Sequence, residues 1–288
     1  MSELALAPLP ARFARLVKIE HTVFALPFAY VGAFLAVHGT PTVHDLLWIT
    51  LAMVGARSLA MALNRLIDAG LDARNPRTAG RELPSGQLSV LQVAFFCTGS
   101  LALFLASVWE LAPRTHVLWP IPVIGFVVYP YLKRWTWLCH FWLGAVDGLA
   151  PVGAWVAITN RLPWESWALG AAVTFWVAGF DLFYALFDLD VDLEQGLHSV
   201  ATRFGVRGSF VGARLAHGAT IAFLVAAGVG LSVGALYWVG VAVVAALLVY
   251  EHALVRPGDL RRLDAAFFTM NGVISVAFAA FVIADAAL

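Results

Sequence analysis

Nine long apolar stretches most constrain what this chain can fold into, because each approaches the length of a helix that crosses a bilayer. A transmembrane helix needs about 20 mostly apolar residues. The stretches lie at residues 19–38, 46–68, 89–109, 117–132, 138–158, 165–187, 210–232, 235–254 and 265–286. The chain is 61% hydrophobic and only 12% charged, whereas a soluble domain is about a quarter charged. We therefore expect an all-α integral membrane protein with nine transmembrane helices in a single domain, residues 1–288.

The distribution of basic residues between loops predicts how the chain crosses the membrane. With the N-terminus in the cytoplasm, only Arg114 and Arg161 fall on the outer side. Cytoplasmic loops of membrane proteins carry an excess of Lys and Arg. Here that side carries Arg12, Arg15, Lys18, Arg65, Arg74, Arg77, Arg81, Lys133, Arg134, Arg203, Arg207, Arg214, Arg256, Arg261 and Arg262. We expect a multi-pass protein of the inner (plasma) membrane, in contact with membrane lipid, with its C-terminus outside.

Two of the apolar stretches end in polar residues that recur at every fourth position. The second stretch ends with Asn64, Asp68 and Asp72, and the sixth ends with Asp188 and Asp192. At about 100° per residue, the members of each cluster share one helix face. Both clusters fall on the cytoplasmic side in the predicted topology, so we expect them to form one site.

The same helical period places four further residues relative to these clusters. Arg57 shares the face of the first cluster, Asp181 and Tyr184 share the face of the second, and Asp190 points away from the site. Arg57 and Asp181 lie well inside the apolar stretches, where an ionisable side chain is costly and indicates function. The structural alternative, a solvated cap at a helix end, explains one aspartate better than two clusters.

The residue types in these clusters suit a diphosphate. Paired carboxylates bind Mg²⁺, which is usually held by one or two protein carboxylates together with substrate phosphate oxygens. Arginine and lysine side chains supply the complementary charge for the phosphate groups. The chain has neither a G-x-x-x-x-G-K-[ST] nor a G-x-G-x-x-G motif, which argues against nucleotide hydrolysis. We expect a diphosphate with a lipid tail, and the net charge of zero indicates no nucleic-acid partner.

Four motifs along the chain share their order and spacing with one family of membrane enzymes. They are Asn64-x3-Asp68-x3-Asp72; Arg77-Thr78-Ala79 with Arg81-x-Leu83-Pro84-Ser85-Gly86; Tyr129-Pro130-Tyr131-Leu132-Lys133-Arg134; and Asp181-x-x-Tyr184-Ala185-x-x-Asp188-x3-Asp192. These motifs resemble the UbiA superfamily of intramembrane aromatic prenyltransferases. The resemblance implies nine transmembrane helices around a central cavity. It also implies transfer of an isoprenoid from a polyprenyl diphosphate to a hydroxylated aromatic acid, with release of pyrophosphate.

The resemblance further implies roles for the matching residues. One Mg²⁺ is bound by Asn64, Asp68 and Asp72, and a second by Asp188 and Asp192. The four aspartates of these two groups and Lys133 are expected to be catalytic. The residues expected to bind substrate are Arg57, Asn64, Arg77, Arg134, Asp181 and Tyr184.

Individual substrate contacts follow from the same resemblance. Arg77 and Lys133, with Arg134 as a further candidate, are expected to draw charge onto the leaving diphosphate. Tyr184 is expected to steady the allylic cation through its ring face. Arg57 is assigned to the acceptor carboxylate or the diphosphate, with simple neutralisation by a neighbouring carboxylate as the alternative. The roles of Asp147 and His198 stay open.

The sequence leaves the identity of the aromatic acceptor open. Enzymes that prenylate 4-hydroxybenzoate for ubiquinone commonly carry Asp-[Lys/Arg]-Pro-x-Gly in the first helix. Here residues 18–29 read Lys-Ile-Glu-His-Thr-Val-Phe-Ala-Leu-Pro-Phe-Ala. This segment, together with Asn75-Pro76-Arg77, looks more like the UbiA-like branch of the futalosine route to menaquinone, in which a hydroxynaphthoate is prenylated. Both acceptors remain candidates.

Two other classes of membrane protein are weaker alternatives. A CDP-alcohol phosphotransferase needs D-x-x-D-G-x-x-A-R-x8-G-x3-D-x3-D within one short segment. Here no D-G-x-x-A-R precedes either cluster, and the two clusters are more than a hundred residues apart. A transporter could use a helical bundle with buried charge, but carboxylates crowded at one membrane face suit metal binding better than a pathway across the bilayer. We infer no obligate protein partner.

Overall fold

The computed structural model describes residues 8–18, 22–255 and 269–288, and its regular structure in these ranges is helical. The helices are α1 (Leu9–Leu16), α2 (Thr22–Val37), α3 (Val43–Asp72), α4 (Val90–Trp109), α5 (Thr115–Leu118), α6 (Pro120–Leu132), α7 (Cys139–Thr159), α8 (Trp164–Tyr184), α9 (Leu189–Glu194), α10 (Val200–Leu231), α11 (Ala235–Leu254) and α12 (Asn271–Ala286). A short 3-10 turn, Ala185–Asp188, connects α8 to α9. The prediction of an all-helical protein is confirmed.

Seven segments of the described chain are long and apolar enough to cross a membrane. They are Val43–Asp72, Val90–Trp109, Thr115–Leu132, Cys139–Thr159, Trp164–Glu194, Val200–Leu231 and Ala235–Leu254. The predicted first and ninth spans correspond to α2 and α12, which are shorter apolar helices of 16 residues each. Parts of those two predicted spans, residues 19–21 and 265–268, lie outside the described residues, as do Arg256, Arg261 and Arg262. The multi-pass membrane character is therefore clear, whereas a count of nine is not confirmed.

Helix α3 is long enough to carry the first polar cluster beyond the apolar part of a membrane. The helix begins with a capping box in which Thr42 and Asp45 satisfy each other's backbone N–H groups. It then continues for 30 residues, which corresponds to about 45 Å, compared with about 30 Å for the hydrocarbon core of a bilayer. The last two turns can therefore reach the polar interface with Asn64, Asp68 and Asp72.

The end of α8 departs from the regular helical period that aligns Asp181 and Tyr184 with Asp188 and Asp192. The helix tightens into the 3-10 turn before α9 begins at Leu189. The change coincides with Asp188, whose carboxylate is held by side chains of the loop between α3 and α4. The helical period reflects only neighbouring residues, whereas this contact joins residues far apart in the sequence. The period alone therefore predicts a regular helix.

Small residues allow the central helices to approach one another closely. A Cβ atom at Gly144 of α7 would lie 2.1 Å from the carbonyl oxygen of Thr174 in α8. A Cβ at Gly32 of α2 would lie 2.3 Å from the carbonyl oxygen of Pro151 in α7. Interfaces between membrane helices are enriched in small residues because packing, rather than hydrophobic exclusion of water, drives their association. These contacts hold α7 close to α2 and to α8.

Gly144→Ala is expected to lower the thermal stability of the detergent-solubilised protein. The added methyl group cannot fit against backbone, and overpacking typically costs about 1–3 kcal/mol. The matched control is Gly153→Ala on the same helix, where a Cβ meets no atom within 4 Å. Apparent melting temperatures of both variants should be compared with the wild type. Equal melting temperatures for the two variants would contradict the close α7–α8 packing.

Candidate active site

A cavity of about 550 Å³ lies between α3, α6, α7 and α8. One part of its wall is apolar and includes Phe104, Leu111, Trp119 and Trp167. The opposite part carries the polar residues selected from the sequence. Ten of those eleven residues line this one cavity: Arg57, Asn64, Asp68, Asp72, Arg77, Lys133, Asp181, Tyr184, Asp188 and Asp192. The cavity therefore joins a charged region to an apolar one.

Asp68 is the most deeply buried carboxylate of the first cluster, with 2% of its surface exposed. Its Oδ2 atom lies 2.6 Å from Nζ of Lys133 and accepts a hydrogen bond of 3.2 Å from Nδ2 of Asn64. Its Oδ1 atom accepts from Arg134 at 3.2 Å. Arg134 does not line the cavity and reaches Asp68 from outside it. Asp68 thus ties the end of α6 to α3.

Asp72 is held by the loop that follows its own helix. Nη1 of Arg81 donates to both carboxylate oxygens, at 2.7 and 2.8 Å. The hydroxyl of Thr78 donates to the backbone carbonyl of Asp72 at 2.9 Å. These bonds fold residues 73–89 back over the end of α3, so that a second basic side chain of the loop can reach the other cluster.

That second basic side chain is Arg77, which links the loop to α8. Its Nε atom donates to Oδ1 of Asp188 at 2.8 Å, its Nη2 atom donates to Oδ2, and Nη1 donates to the Tyr184 hydroxyl at 2.8 Å. Asn75 also donates to Asp188, at 2.8 Å. Burial alone would lower the pKa of Arg77, but the contacts with Asp188 and Tyr184 outweigh it and raise that pKa above its ordinary value.

Tyr184 already presents its ring face to a cation. The guanidinium carbon of Arg77 lies 5.2 Å from the centre of the Tyr184 ring, within the usual range of a cation–π contact. The ring therefore faces positive charge at the edge of the charged region. The same geometry is what a role in steadying an allylic cation requires.

The segment before α10 is fixed against the loop after α6. The backbone N–H of His198 donates to the carbonyl of Lys133 at 2.6 Å, and the thiol of Cys139 lies 3.6 Å from the carbonyl oxygen of His198. His198 thus contributes its main chain to holding Lys133 in place. Asp147 lines the cavity together with Arg57, and Asp181 contacts His140 at 2.7 Å.

The carboxylates fit a divalent metal only when a phosphorylated ligand completes its coordination. Within the described ranges, no group of three or more His, Cys, Asp or Glu side chains is close enough to hold a metal ion. Instead, α3 provides Asp68 and Asp72, and the 185–194 segment provides Asp188 and Asp192. Mg²⁺ usually binds to one or two protein carboxylates, several waters and phosphate oxygens. Two separated carboxylate pairs match that requirement.

Three side chains of the site were not selected from the sequence. Asn75 and Arg81 lie in the 64–86 region that carries the quoted motifs, so this proximity could have identified them as site residues. His140 is different because it lies outside those motifs, at the start of an apolar helix. Only the packing of α7 against α8 brings it to Asp181.

Arg77→Ala is expected to release the 73–89 loop from the 185–194 segment. Hydrogen bonds to charged groups contribute about 1.5–3 kcal/mol, and less where solvent reaches them. We therefore expect amides of residues 74–80 to exchange with deuterium roughly 3- to 10-fold faster. The control is Arg74→Ala, since Arg74 reaches the carbonyl of Gly70 in its own helix end. Unchanged exchange in Arg77→Ala would contradict this role.

Comparison with known proteins agrees with the fold and the motifs. A model of the UbiA prenyltransferase family matches residues 25–273. The chain is 31% identical over 255 residues to the 4-hydroxybenzoate octaprenyltransferase of Aliivibrio fischeri (strain MJ11), covering 87% of this chain and 88% of that protein.

Solved structures show the same architecture. The apo structure of a UbiA homolog from Aeropyrum pernix K1 has a TM-score of 0.85 and 32% identity, covering 93% of this chain and 98% of that chain. A UbiA homolog from Archaeoglobus fulgidus bound to DMAPP and Mg²⁺ has a TM-score of 0.72 at 19% identity, covering 95% and 99%; at that identity it shows the shared fold. Since the family model spans most of the sequence, this chain belongs to the UbiA prenyltransferase family.

Proposed function

We propose that this enzyme transfers a polyprenyl group from a polyprenyl diphosphate to a hydroxylated aromatic acid of the 4-hydroxybenzoate type, in quinone biosynthesis. One observation carries the proposal. Two acidic clusters from distant parts of the chain line a single cavity, and much of the remaining cavity wall is apolar. A charged head and a long hydrocarbon tail can therefore be accommodated together. The relatives named 4-hydroxybenzoate octaprenyltransferase support this choice of reaction.

The diphosphate binds at the charged end of the cavity. Arg77 and Lys133 lie in that region, each paired with an aspartate. With Mg²⁺ on these carboxylates, the guanidinium and ammonium groups would be free to bind phosphate oxygens. Arg134 supports the same region through its contact with Asp68. These side chains would thereby neutralise charge on the leaving diphosphate.

Mg²⁺ is the proposed cofactor, with Asn64, Asp68 and Asp72 around one ion and Asp188 and Asp192 around the other. When bound, the ions supply Lewis-acid stabilisation of the charge that develops on the leaving diphosphate. A UbiA homolog from Archaeoglobus fulgidus bound to GPP and Mg²⁺ supports this assignment. The chain's own residues then keep water away and hold the allylic carbon beside the acceptor.

The acceptor binds deeper in the cavity, near Arg57. This guanidinium lies in the apolar depth of α3 and lines the cavity, where it can bind the acceptor carboxylate with two parallel hydrogen bonds. Asp181 lies seven residues before Asp188, roughly 10 Å along a helix. An aromatic ring held between Asp181 and Asp188 would meet the allylic carbon. Tyr184 would stabilise the positive charge on that carbon.

A hydroxynaphthoate is the second candidate acceptor. The observation that favours it is the departure of residues 18–29 from the Asp-[Lys/Arg]-Pro-x-Gly pattern. Residues 19–21 of this segment lie outside the described residues. Both candidates are hydroxylated aromatic acids, so the roles of Arg57 and the two acidic clusters are the same for either.

The test is prenyl transfer by the purified protein in detergent. Labelled polyprenyl diphosphate is incubated with Mg²⁺ and either 4-hydroxybenzoate or the hydroxynaphthoate, and we expect a labelled prenylated acid and pyrophosphate. Chelation by EDTA should abolish the reaction. Asp68→Ala and Asp188→Ala should each reduce turnover more than about 100-fold, a loss typical when a group that stabilises developing charge is removed.

Asp190→Ala is the matched control for the aspartate variants. Asp190 is exposed, lies in the same 185–194 segment, and does not line the cavity. It should retain wild-type turnover. No labelled product with either acceptor from folded wild-type protein would overturn the proposed reaction, and near-normal turnover of Asp68→Ala and Asp188→Ala would overturn the metal assignment.

The proposed topology is nine spans in the inner membrane, with the N-terminus and acidic clusters in the cytoplasm. Two features support counting α12 as a span. It packs along α2 and α11, and near its end Asp285 accepts hydrogen bonds from the backbone N–H groups of Gly234 and Leu236. The end of α12 therefore lies beside the turn between α10 and α11, at the far side from the acidic clusters.

Reporter fusions test this topology. Alkaline phosphatase fused after Leu288 should be active, because it folds outside the cytoplasm, whereas green fluorescent protein fused there should be dark. After Val255, which follows α11, the two reporters should behave in the opposite way. The nine-span proposal fails if the fusions after Val255 and Leu288 report the same side of the membrane.

A further inference from the structure

A buried histidine holds one of the deeper carboxylates of the cavity. Nδ1 of His140 lies 2.7 Å from Oδ2 of Asp181. His140 is the second residue of α7 and Asp181 lies in the last turn of α8, so the contact joins two closely packed helices. Both side chains line the cavity, and His140 has 5% of its surface exposed.

The hydrogen-bond partners of His140 assign its protonation. Nε2 lies 3.4 Å from the backbone nitrogen of Val200. A backbone N–H can only donate, so Nε2 accepts and carries no proton. A neutral imidazole has one donor and one acceptor nitrogen, and Nδ1 therefore donates to Asp181. This arrangement leaves Oδ2 of Asp181 occupied by the imidazole.

The other oxygen of Asp181 is available for a partner in the cavity. In the part of the chain that the structure describes, Oδ1 has no hydrogen bond, and the side chain keeps 13% of its surface exposed. Asp68, Asp72 and Asp188, by contrast, each contact a lysine or an arginine. Oδ1 of Asp181 is therefore open to a partner in the cavity that Asp181 lines, which places this carboxylate to accept a proton.

We propose that His140 positions Asp181 as the carboxylate that accepts the proton released by the aromatic acceptor. This inference rests on the proposed prenyl transfer, which must remove one ring proton for each group transferred. Asp181 contacts the acceptor directly, and His140 acts through Asp181. Their contact fixes which oxygen faces the ring, because Oδ2 stays bound to the imidazole.

The step balances without another reactant. An electron pair of the ring forms the new carbon–carbon bond to the allylic carbon, and the bond from that carbon to the diphosphate breaks. The ring carbon that was attacked then loses its proton to Oδ1 of Asp181, and the electron pair of the C–H bond restores the aromatic ring. The proton passes from Asp181 to the departing pyrophosphate, which leaves the carboxylate ready for another cycle.

The experiment compares an acceptor carrying hydrogen with one carrying deuterium at the carbon that is prenylated. We expect no isotope effect on turnover in the wild type, because a positioned base removes the proton quickly. His140→Ala should show a primary isotope effect and a kcat lower by roughly 10- to 1,000-fold, since a positioned general base contributes about 10²–10⁴. The KM for polyprenyl diphosphate should stay unchanged.

Two substitutions at the dyad separate positioning from folding. In His140→Asn the amide nitrogen can replace Nδ1 as the donor to Asp181, so the isotope effect should disappear and much of the turnover should return. Asp181→Asn keeps a polar group but cannot accept the proton, and it should show the same isotope effect as His140→Ala. It tests the proposal even if His140→Ala does not fold.

Two control variants address alternative explanations. His217→Ala removes another buried histidine, 3% exposed, that packs against α8 at Gly179 and does not line the cavity; it can lower stability but should show no isotope effect. Asp147→Asn removes the other deep carboxylate and should also show none.

The outcomes distinguish this inference from the proposed function. If wild-type protein makes no prenylated acid, the proposed function fails first. If the wild type is active, the inference is overturned by wild-type turnover in Asp181→Asn, by an isotope effect that appears in Asp147→Asn instead, or by its absence from both His140→Ala and Asp181→Asn.

Discussion

The need to neutralise buried carboxylates is the constraint on which the rest of this structure depends. An unpaired charge is expensive where water is scarce, and Asp68 and Asp72 are almost fully buried. Each is matched by a basic residue from a different part of the chain, Lys133 for Asp68 and Arg81 for Asp72. The helix ends and loops around the cavity take their positions from these pairs.

The pairing also explains why the loop after α3 has so many basic residues. Arg81 folds the loop back onto α3, while Arg77 extends from the same loop to Asp188, 111 residues further along the sequence. One loop thus connects the two acidic clusters. In the proposed reaction Arg77 and Lys133 also serve the diphosphate, so groups that stabilise the free protein are already close to where the leaving group needs positive charge. Such preorganised charge is the main way in which enzymes stabilise ionic transition states.

The apolar part of the cavity depends on a different kind of contact. Glycines in α2, α7 and α8 allow helix backbones to approach where any larger side chain would collide, and this packing brings His140 of α7 to Asp181 of α8. Close helix contact therefore has a chemical consequence in the site. It places a histidine, rather than a lysine or an arginine, beside the deeper carboxylate.

The sequence alone determined the helical membrane class, most helix limits and the two acidic clusters, because apolar length and the 3.6-residue period are local properties. The sequence predicted that Arg57, Asp68 and Asp188 belong to one site, and in the structure all three line one cavity. Only the tertiary structure decided which cation meets which carboxylate, that Arg134 lies outside the cavity, and that α8 tightens before Asp188. It alone brought His140 to Asp181, since contacts between residues far apart in sequence depend on how the helices pack and no local pattern records them.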